Sequence, residues 1–104
     1  MKPNELIEDD FSGNSKLPGV YGIYCSRINK IYIGSTVKID KRWREHKFYL
    51  KNSCHQNVYL QRAWDKYGAD SFCFLILENC TKDQIRVREA HYLSLIDESL
   101  VFNI

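Results

Sequence analysis

The sequence predicts an α+β domain, a small three-stranded antiparallel or mixed sheet flanked by three helices in the order β-β-α-α-β-α. Three observations carry that reading. Residues 20–25 and 30–35 are rich in Val, Ile and Tyr and are separated by a short polar turn, which is a hairpin pattern. After Gly34 the apolar period changes from strand-like to helical, and a lone apolar run at residues 71–78 then separates two helical patterns from a third.

Residues 1–18 contain Pro3, Gly13, Pro18, the acidic run Glu8-Asp9-Asp10 and a polar stretch at 12–16, with no sustained apolar period, and so read as a flexible or loosely docked acidic arm. Residues 19–104 read as the single domain. The hairpin comes first. Ile39, Trp43, His46 and Leu50 then fall on one stripe of a helix. Leu60, Ala63, Trp64 and Tyr67 mark a second, closed by Gly68 where a left-handed C-cap residue is wanted. The run at 71–78 has the length of a buried strand. Thr81 and Gln84 have the spacing of a capping box for a third helix, with Ile85, Tyr92, Leu93 and Ile96 as its buried stripe. Residues 101–104 form a short extended end, and no internal repeat is present.

The chain has 104 residues, 44% hydrophobic and 27% charged, the composition of a globular protein with one core. Its apolar runs reach six residues at most, against roughly 20 needed to cross a bilayer, and no signal-like segment follows Met1, so a cytoplasmic location without a membrane partner is expected. Cys25, Cys54, Cys73 and Cys80 form no C-x-x-C pair and lack metal-ligand spacing, which predicts reduced, half-buried thiols.

Net charge is +2, but residues 1–18 carry two lysines against four acids, leaving 13 basic and 9 acidic residues in 19–104. The excess sits in residues 38–51, where Lys38, Lys41, Arg42, Arg44, Lys47 and Lys51 are interleaved with Trp43, Phe48 and Tyr49. Such a helix suits a phosphate backbone, and it is equally a solvated basic face.

Two polar groups fall where burial is costly. Wound at about 100° per residue, Glu89 lies at about 40° from Ile85, between Tyr92 and Leu93 and so inside the apolar stripe. A carboxylate there either pairs with Arg88 or another arginine, or binds a cation. His46 falls between Ile39 and Trp43, with Arg42 one turn earlier on the same side. That pair is either a satisfied core histidine beside a surface arginine, or a cation and a proton-transfer group set for phosphodiester chemistry. His55 precedes the second helix, and His91 falls off the apolar face of the third.

An ordered set of residues resembles the GIY-YIG nuclease family, which includes intron-encoded homing endonucleases, some restriction enzymes and the incision subunit of nucleotide-excision repair. The set begins with Gly19-Val20-Tyr21 and, ten residues on, Tyr32-Ile33-Gly34-Ser35. Lys41-Arg42-Trp43 with His46, Cys54-His55, Leu60-Gln61, Lys66-Tyr67-Gly68, Arg88-Glu89 and Phe102-Asn103-Ile104 follow in the family's order. The pattern is most similar to the catalytic domain of phage and intron-encoded homing endonucleases.

A literal Gly22-Ile23-Tyr24 competes for the first motif. If Cys25 pairs with Lys30 across the four-residue loop 26–29, Ile23 opposes Tyr32, Tyr21 opposes Gly34, and Tyr21 shares a face with Tyr32. A three-residue loop would favour Tyr24 instead; the expectation here is Tyr21.

The resemblance implies a metal-dependent DNA endonuclease, hydrolysing phosphodiester bonds to leave a 5′-phosphate, with low intrinsic sequence specificity. It implies one divalent cation, Mg²⁺ or Mn²⁺, bound by Glu89. Arg42 would hold the scissile phosphate, and Tyr21 would activate water with help in lowering its ordinary pKa of about 10. Tyr32 would orient the phosphate, His46 would assist proton transfer, and Asn103 would brace the site. Gly34, Ser35, Lys41, Arg44, Lys47 and His55 would contact the DNA, double- or single-stranded. The competing reading is a non-catalytic nucleic-acid-binding module using the basic helix 39–50.

Homing and restriction members usually join this domain to a separate DNA-recognition region, so the chain is expected to be an excised catalytic domain or a stand-alone nuclease, with recognition supplied by another domain or subunit. One site implies one cut per engagement, and oligomeric state has no sequence signal. If phage-borne, the protein would work in the host-cell cytoplasm. The acidic arm would repel DNA unless it moves away.

Overall fold

The computed structural model describes residues 1–7 and 13–103. Strands β1 (Gly19–Cys25), β2 (Lys30–Thr36) and β3 (Phe72–Asn79) form one antiparallel sheet in the order β2-β1-β3. Helices α1 (Pro3–Leu6), α2 (Ile39–Lys51), α3 (Val58–Tyr67) and α4 (Ile85–Leu95) cover it. The sheet and the three long helices match the expected order; α1 is a fourth helix that the sequence reading lacked.

β1 is central and buried along its whole length because both faces are covered. Tyr21, Ile23 and Cys25 pack with Ile39, Leu50, Leu60 and Ala63 of α2 and α3. Val20 and Tyr24 point the other way, into a cluster with Ile31, Ile33, Leu77, Tyr92 and Ile96. Alternation along one strand thus supplies two cores, α2 and α3 on one face and α4 on the other. β3 meets β1 with a bulge, Val20 opposing Glu78 and Tyr21 opposing Ile76. Arg88 of α4 clasps Glu78 with two 2.8 Å hydrogen bonds, and Tyr92 Oη donates to the same carboxylate at 3.0 Å.

The hairpin adopts the register that places Tyr21 with Tyr32. Cys25 pairs with Lys30, Ile23 with Tyr32 and Tyr21 with Gly34. The turn closes through Asn29 at φ 53°, a left-handed conformation that asparagine tolerates. Tyr24 lies on the opposite face, its hydroxyl donating to Asn29 Oδ1 at 3.0 Å.

Several local expectations are corrected. Of the flexible or loosely docked arm expected at residues 1–18, the described part is docked: Pro3 and Leu6 are buried, and Leu6 belongs to the α4-side core. The Ser15 carbonyl accepts from Asp40 N at 2.9 Å, serving the first turn of α2, which has no side-chain cap, and Lys16 pairs with Asp40 at 3.1 Å. Glu8-Asp9-Asp10 lies outside the described residues.

Gly68 has the expected positive φ of 84°, but its ψ of 159° is extended, so the chain leaves α3 directly towards β3 instead of closing a left-handed cap. Thr81 makes no side-chain capping bond; a 3-10 turn at Lys82–Gln84 precedes α4, held by Gln84 N donating to the Thr81 carbonyl. The four cysteines are free, with Cys25 buried and Cys54 and Cys73 exposed rather than half-buried. No helix of the described residues is long and apolar enough to cross a membrane.

The free edge of β2 is closed by the end of the chain. Val101 bridges Ile31 in parallel, Phe102 N donates to the Ile31 carbonyl at 2.8 Å, and Asn103 engages both backbone groups of Ile33. A side-chain amide here does what a neighbouring strand would do.

Candidate active site

Tyr21 projects from the central strand under α2 and is 1% exposed. Its ring crosses β2 at Gly34, where an added Cβ would land on the Tyr21 hydroxyl and 2.5 Å from Cζ. Gly34 is therefore the space the phenol occupies. Tyr32, two residues away on the same face, lies 6.5 Å from Tyr21 between ring centres, and both rings meet His46 edge-on at 5.5 and 5.3 Å.

His46 is wholly buried yet fully partnered. Its Nε2 lies 2.7 Å from the Tyr21 hydroxyl and its Nδ1 lies 2.7 Å from His55 Nε2, the two imidazoles being nearly parallel at 15°. The direction of this chain is fixed at its far end. Asn57 N–H can only donate, and it donates to His55 Nδ1 at 3.0 Å. A neutral His55 then carries its proton on Nε2 and gives it to His46 Nδ1. His46 in turn carries its proton on Nε2 and donates to the Tyr21 oxygen, leaving the Tyr21 O–H free to donate elsewhere.

The electrostatics agree with neutral rings. Burial, reinforced by the charge of Arg42 and by the neighbouring His55, pushes the His46 pKa down to about 3, and burial with Arg42 lowers that of His55. Burial raises the Tyr21 phenol above its ordinary range, with Tyr32 adding and Arg42 opposing. Tyr32 is raised for the same first cause, Arg42 again opposing and Glu89 adding. At rest both tyrosines are phenols.

Arg42 stands at the mouth of this cluster, 3.5 Å from Glu45 at the half-exposed surface of α2. It lines two adjoining cavities. One, of about 300 Å³, is walled by Tyr32, His55, Gln56, Asn57 and Asn103; the other, of about 380 Å³, by Tyr49, Cys54, His55 and Gln56.

Glu89 arrives from the opposite layer of the sheet. It is partly buried, and its Oε1 accepts from Ser35 Oγ at 2.9 Å. Arg88, the partner it would have had as an ordinary ion pair, is taken by Glu78, and among the described residues Glu89 enters no salt bridge. Its charge is nevertheless felt at Tyr21 and Tyr32. No cluster of three or more acidic, histidine or cysteine ligands exists among the described residues. The donor set that is present, one carboxylate with an oxygen to spare, fits Mg²⁺, which keeps several waters and completes its shell with substrate phosphate.

Tyr21, Tyr32, Arg42, His46, His55 and Asn103 are thus brought together, with Glu89 and Ser35 joined at the sheet edge. Lys41, Arg44 and Lys47 are exposed on α2. Lys47 turns away from the tyrosines, its ammonium 4.8 Å from the Phe74 ring centre. Asn57 was missed by the sequence reading. It also caps α3 by accepting from Leu60 N at 3.0 Å and holds the Phe102 carbonyl at 2.9 Å, and its position just before an apolar helical stripe was the available signal. Gln61, which accepts from His55 N at 3.0 Å, holds the same loop from α3.

Residues 17–97 match the GIY-YIG catalytic domain family. The chain is 32% identical over 83 residues to intron-associated endonuclease 1 of enterobacteria phage T4, aligning with 79% of this chain and 34% of that protein, so it spans about a third of this relative's length. The solved catalytic domain of homing endonuclease I-TevI is similar at a TM-score of 0.77 and 33% identity, over 84% of this chain and 97% of that one. A point mutant of the catalytic domain of intron endonuclease I-TevI superposes at 0.75 with 32% identity, over 83% and 91%.

Proposed function

The chain belongs to the GIY-YIG family, and from that premise we propose that it is a DNA endonuclease that hydrolyses phosphodiester bonds with the aid of a divalent cation, leaving a 5′-phosphate. The observation that carries the reading is the buried chain from Asn57 through His55 and His46 to the Tyr21 oxygen, ending beside Arg42. A core that needed only packing would have no use for a fully buried imidazole pointed at a phenol and backed by a second, half-buried one.

Arg42 binds the scissile phosphate and neutralises the charge that develops on it. Tyr32 orients that phosphate from the same cavity, and Asn103 holds Tyr32 in place through the backbone of Ile33. Tyr21 first gives up its own O–H proton to solvent and, as the phenolate, takes the proton of the attacking water. The phosphorus–oxygen bond to the 3′ side then breaks, and that oxygen is protonated by solvent.

His46 is not the base that first deprotonates Tyr21, because its Nε2 already carries a proton and its Nδ1 is occupied by His55. Its contribution is an N–H donated to the phenolate oxygen, which offsets the burial that makes the phenol a weak acid. Glu89 would hold Mg²⁺ or Mn²⁺, which supplies positive charge at the phosphate and acidifies nearby water.

Recognition of a target would come from a separate domain or subunit, the basic face of α2 with Lys41 and Arg44 giving contacts of low sequence specificity. The protein would act in the cytoplasm, of a host cell if phage-borne.

Supercoiled plasmid and single-stranded DNA incubated with Mg²⁺, Mn²⁺ or EDTA test the proposal. Metal-dependent nicking that Glu89→Ala abolishes, with unfolding unchanged, is the expected result. DNA binding without metal-dependent nicking would replace it with the binding-module reading, and undiminished cleavage by Glu89→Ala would remove the assigned ligand.

A further inference from the structure

The cavity of about 380 Å³ shares Arg42 and His55 with the site just described, but its other walls, Tyr49, Cys54 and Gln56, have no part in that chemistry. Its size falls within the range of small-ligand pockets, about 300–1,000 Å³. Its walls are unlike those of a folding defect. Tyr49 is an aromatic left 40% exposed, and the exposed Gln56 offers both a donor and an acceptor. Cys54, also exposed, adds a small polarizable side.

We propose that this cavity receives the nucleobase next to the scissile phosphate, unstacked from the duplex, with Tyr49 as its stacking platform and Gln56 reading its edge. The argument rests on the nuclease reading above, since Arg42 sets the phosphate's position. Arg42 borders both cavities, so a phosphate held by it in the tyrosine cavity leaves its own nucleoside facing the other. Tyr49 follows Arg42 by two helical turns on the same side of α2, about 10 Å along the axis, the distance from a phosphate across its sugar to the far side of the base. A planar ring with amide-complementary edges is the ligand that matches an aromatic wall opposite a carboxamide. A base still stacked in a duplex could not enter; flipping or local melting must accompany binding. Stacking accepts any base, so the pocket contributes position first and only a bias in sequence.

The test is a cycle between protein and substrate. A cut site mapped on plasmid supplies an oligonucleotide duplex, and versions abasic at each nucleotide flanking the cut are compared under single-turnover conditions. Tyr49→Ala is expected to lower kcat/KM roughly 5- to 100-fold on the intact duplex, the range of one base–aromatic contact. At one flanking position the abasic sugar lowers the wild-type rate by a similar factor, and there Tyr49→Ala causes no further loss. Tyr49→Phe, which keeps the ring, retains the wild-type rate, and Gln56→Ala flattens the base preference at that position. An equal loss for Tyr49→Ala on every abasic duplex, or no loss on the intact one, overturns the pocket while leaving the nuclease reading intact. A wild-type protein that cuts nothing overturns both.

Discussion

The neutral, buried His46 makes stability depend on pH in a window above the one in which Asp40 and Glu78 act. Its pKa is about 3 in the folded chain, against 6.5 when the ring is free in water. Below pH 6.5 the unfolded chain binds a proton that the folded chain does not, so stability is complete above that value and is lost as pH falls towards 3. At pH 5 the loss is about 2 kcal/mol from this one ring, and it approaches about 5 kcal/mol near pH 3. His55, also depressed, adds in the same direction. The carboxylates Asp40 and Glu78 are lowered by their partners, Lys16 and Arg88, and contribute stability that is lost only as pH falls through the usual carboxylate range. They leave the interval from 7 to 5 to the histidines. Urea unfolding at pH 7 and pH 5 should show a fall of about 2 kcal/mol or more, equivalent to roughly 8–16 °C in Tm for a chain of this size. The fall should shrink by about that amount in His46→Gln whatever that variant's absolute stability. Should the variant fail to fold, proton NMR titration of the wild-type ring serves, with no His46 transition expected above pH 4. A His46 signal titrating near 6.5, or a pH dependence unchanged by His46→Gln, would refute the neutral relay and the hydrogen-bond direction derived from it.

Tyr21→Phe should reduce plasmid nicking by about 100-fold or more, the usual scale of a lost proton-transfer group, whereas Tyr24→Phe leaves it unchanged. A loss in Tyr24→Phe with none in Tyr21→Phe would mean that the literal Gly22-Ile23-Tyr24 is the working motif. Gly34→Ala forces the Tyr21 ring off β2, and should cost about 1–3 kcal/mol in urea unfolding and about 100-fold in cleavage; wild-type cleavage would show that the ring does not need that space. Leu6→Ala removes a buried anchor of α1 and should destabilise the protein by about 2 kcal/mol or more, with cleavage by the folded fraction unaltered. A change under about 0.5 kcal/mol would return residues 1–7 to the status of a loose arm.

The parts of this molecule that could be read from the sequence are those fixed by short-range rules. The spacing of the resembled motif favoured Tyr21 over Tyr24, and the four-residue loop gives the reason, because side chains alternate along a strand and a one-residue slip reverses them. Glu89 stood out because a carboxylate inside an apolar helical stripe needs a reason. What could not be read depends on irregular backbone. His55 and Asn57 lie in a loop with no period, and their chain to Tyr21 exists only because α3, capped by Asn57 itself, holds that loop against α2. The four-residue α1 is too short for a periodic pattern; it is anchored by Pro3 and Leu6 meeting a surface contributed by distant residues. Thr81 and Gln84 had the right spacing for a capping box, but the chain enters α4 through a tighter turn that takes the Thr81 carbonyl instead.

The arrangement of Arg42 and Glu89 on opposite layers of the sheet carries a consequence for the cell that makes the protein. Each charge is delivered by a helix packed on a different core, and the carboxylate is fastened at the β2 edge through Ser35. If Arg42 and Glu89 act together as proposed, a chain with either layer frayed would hold half a site. On that reading, cutting would be confined to copies in which both layers have closed.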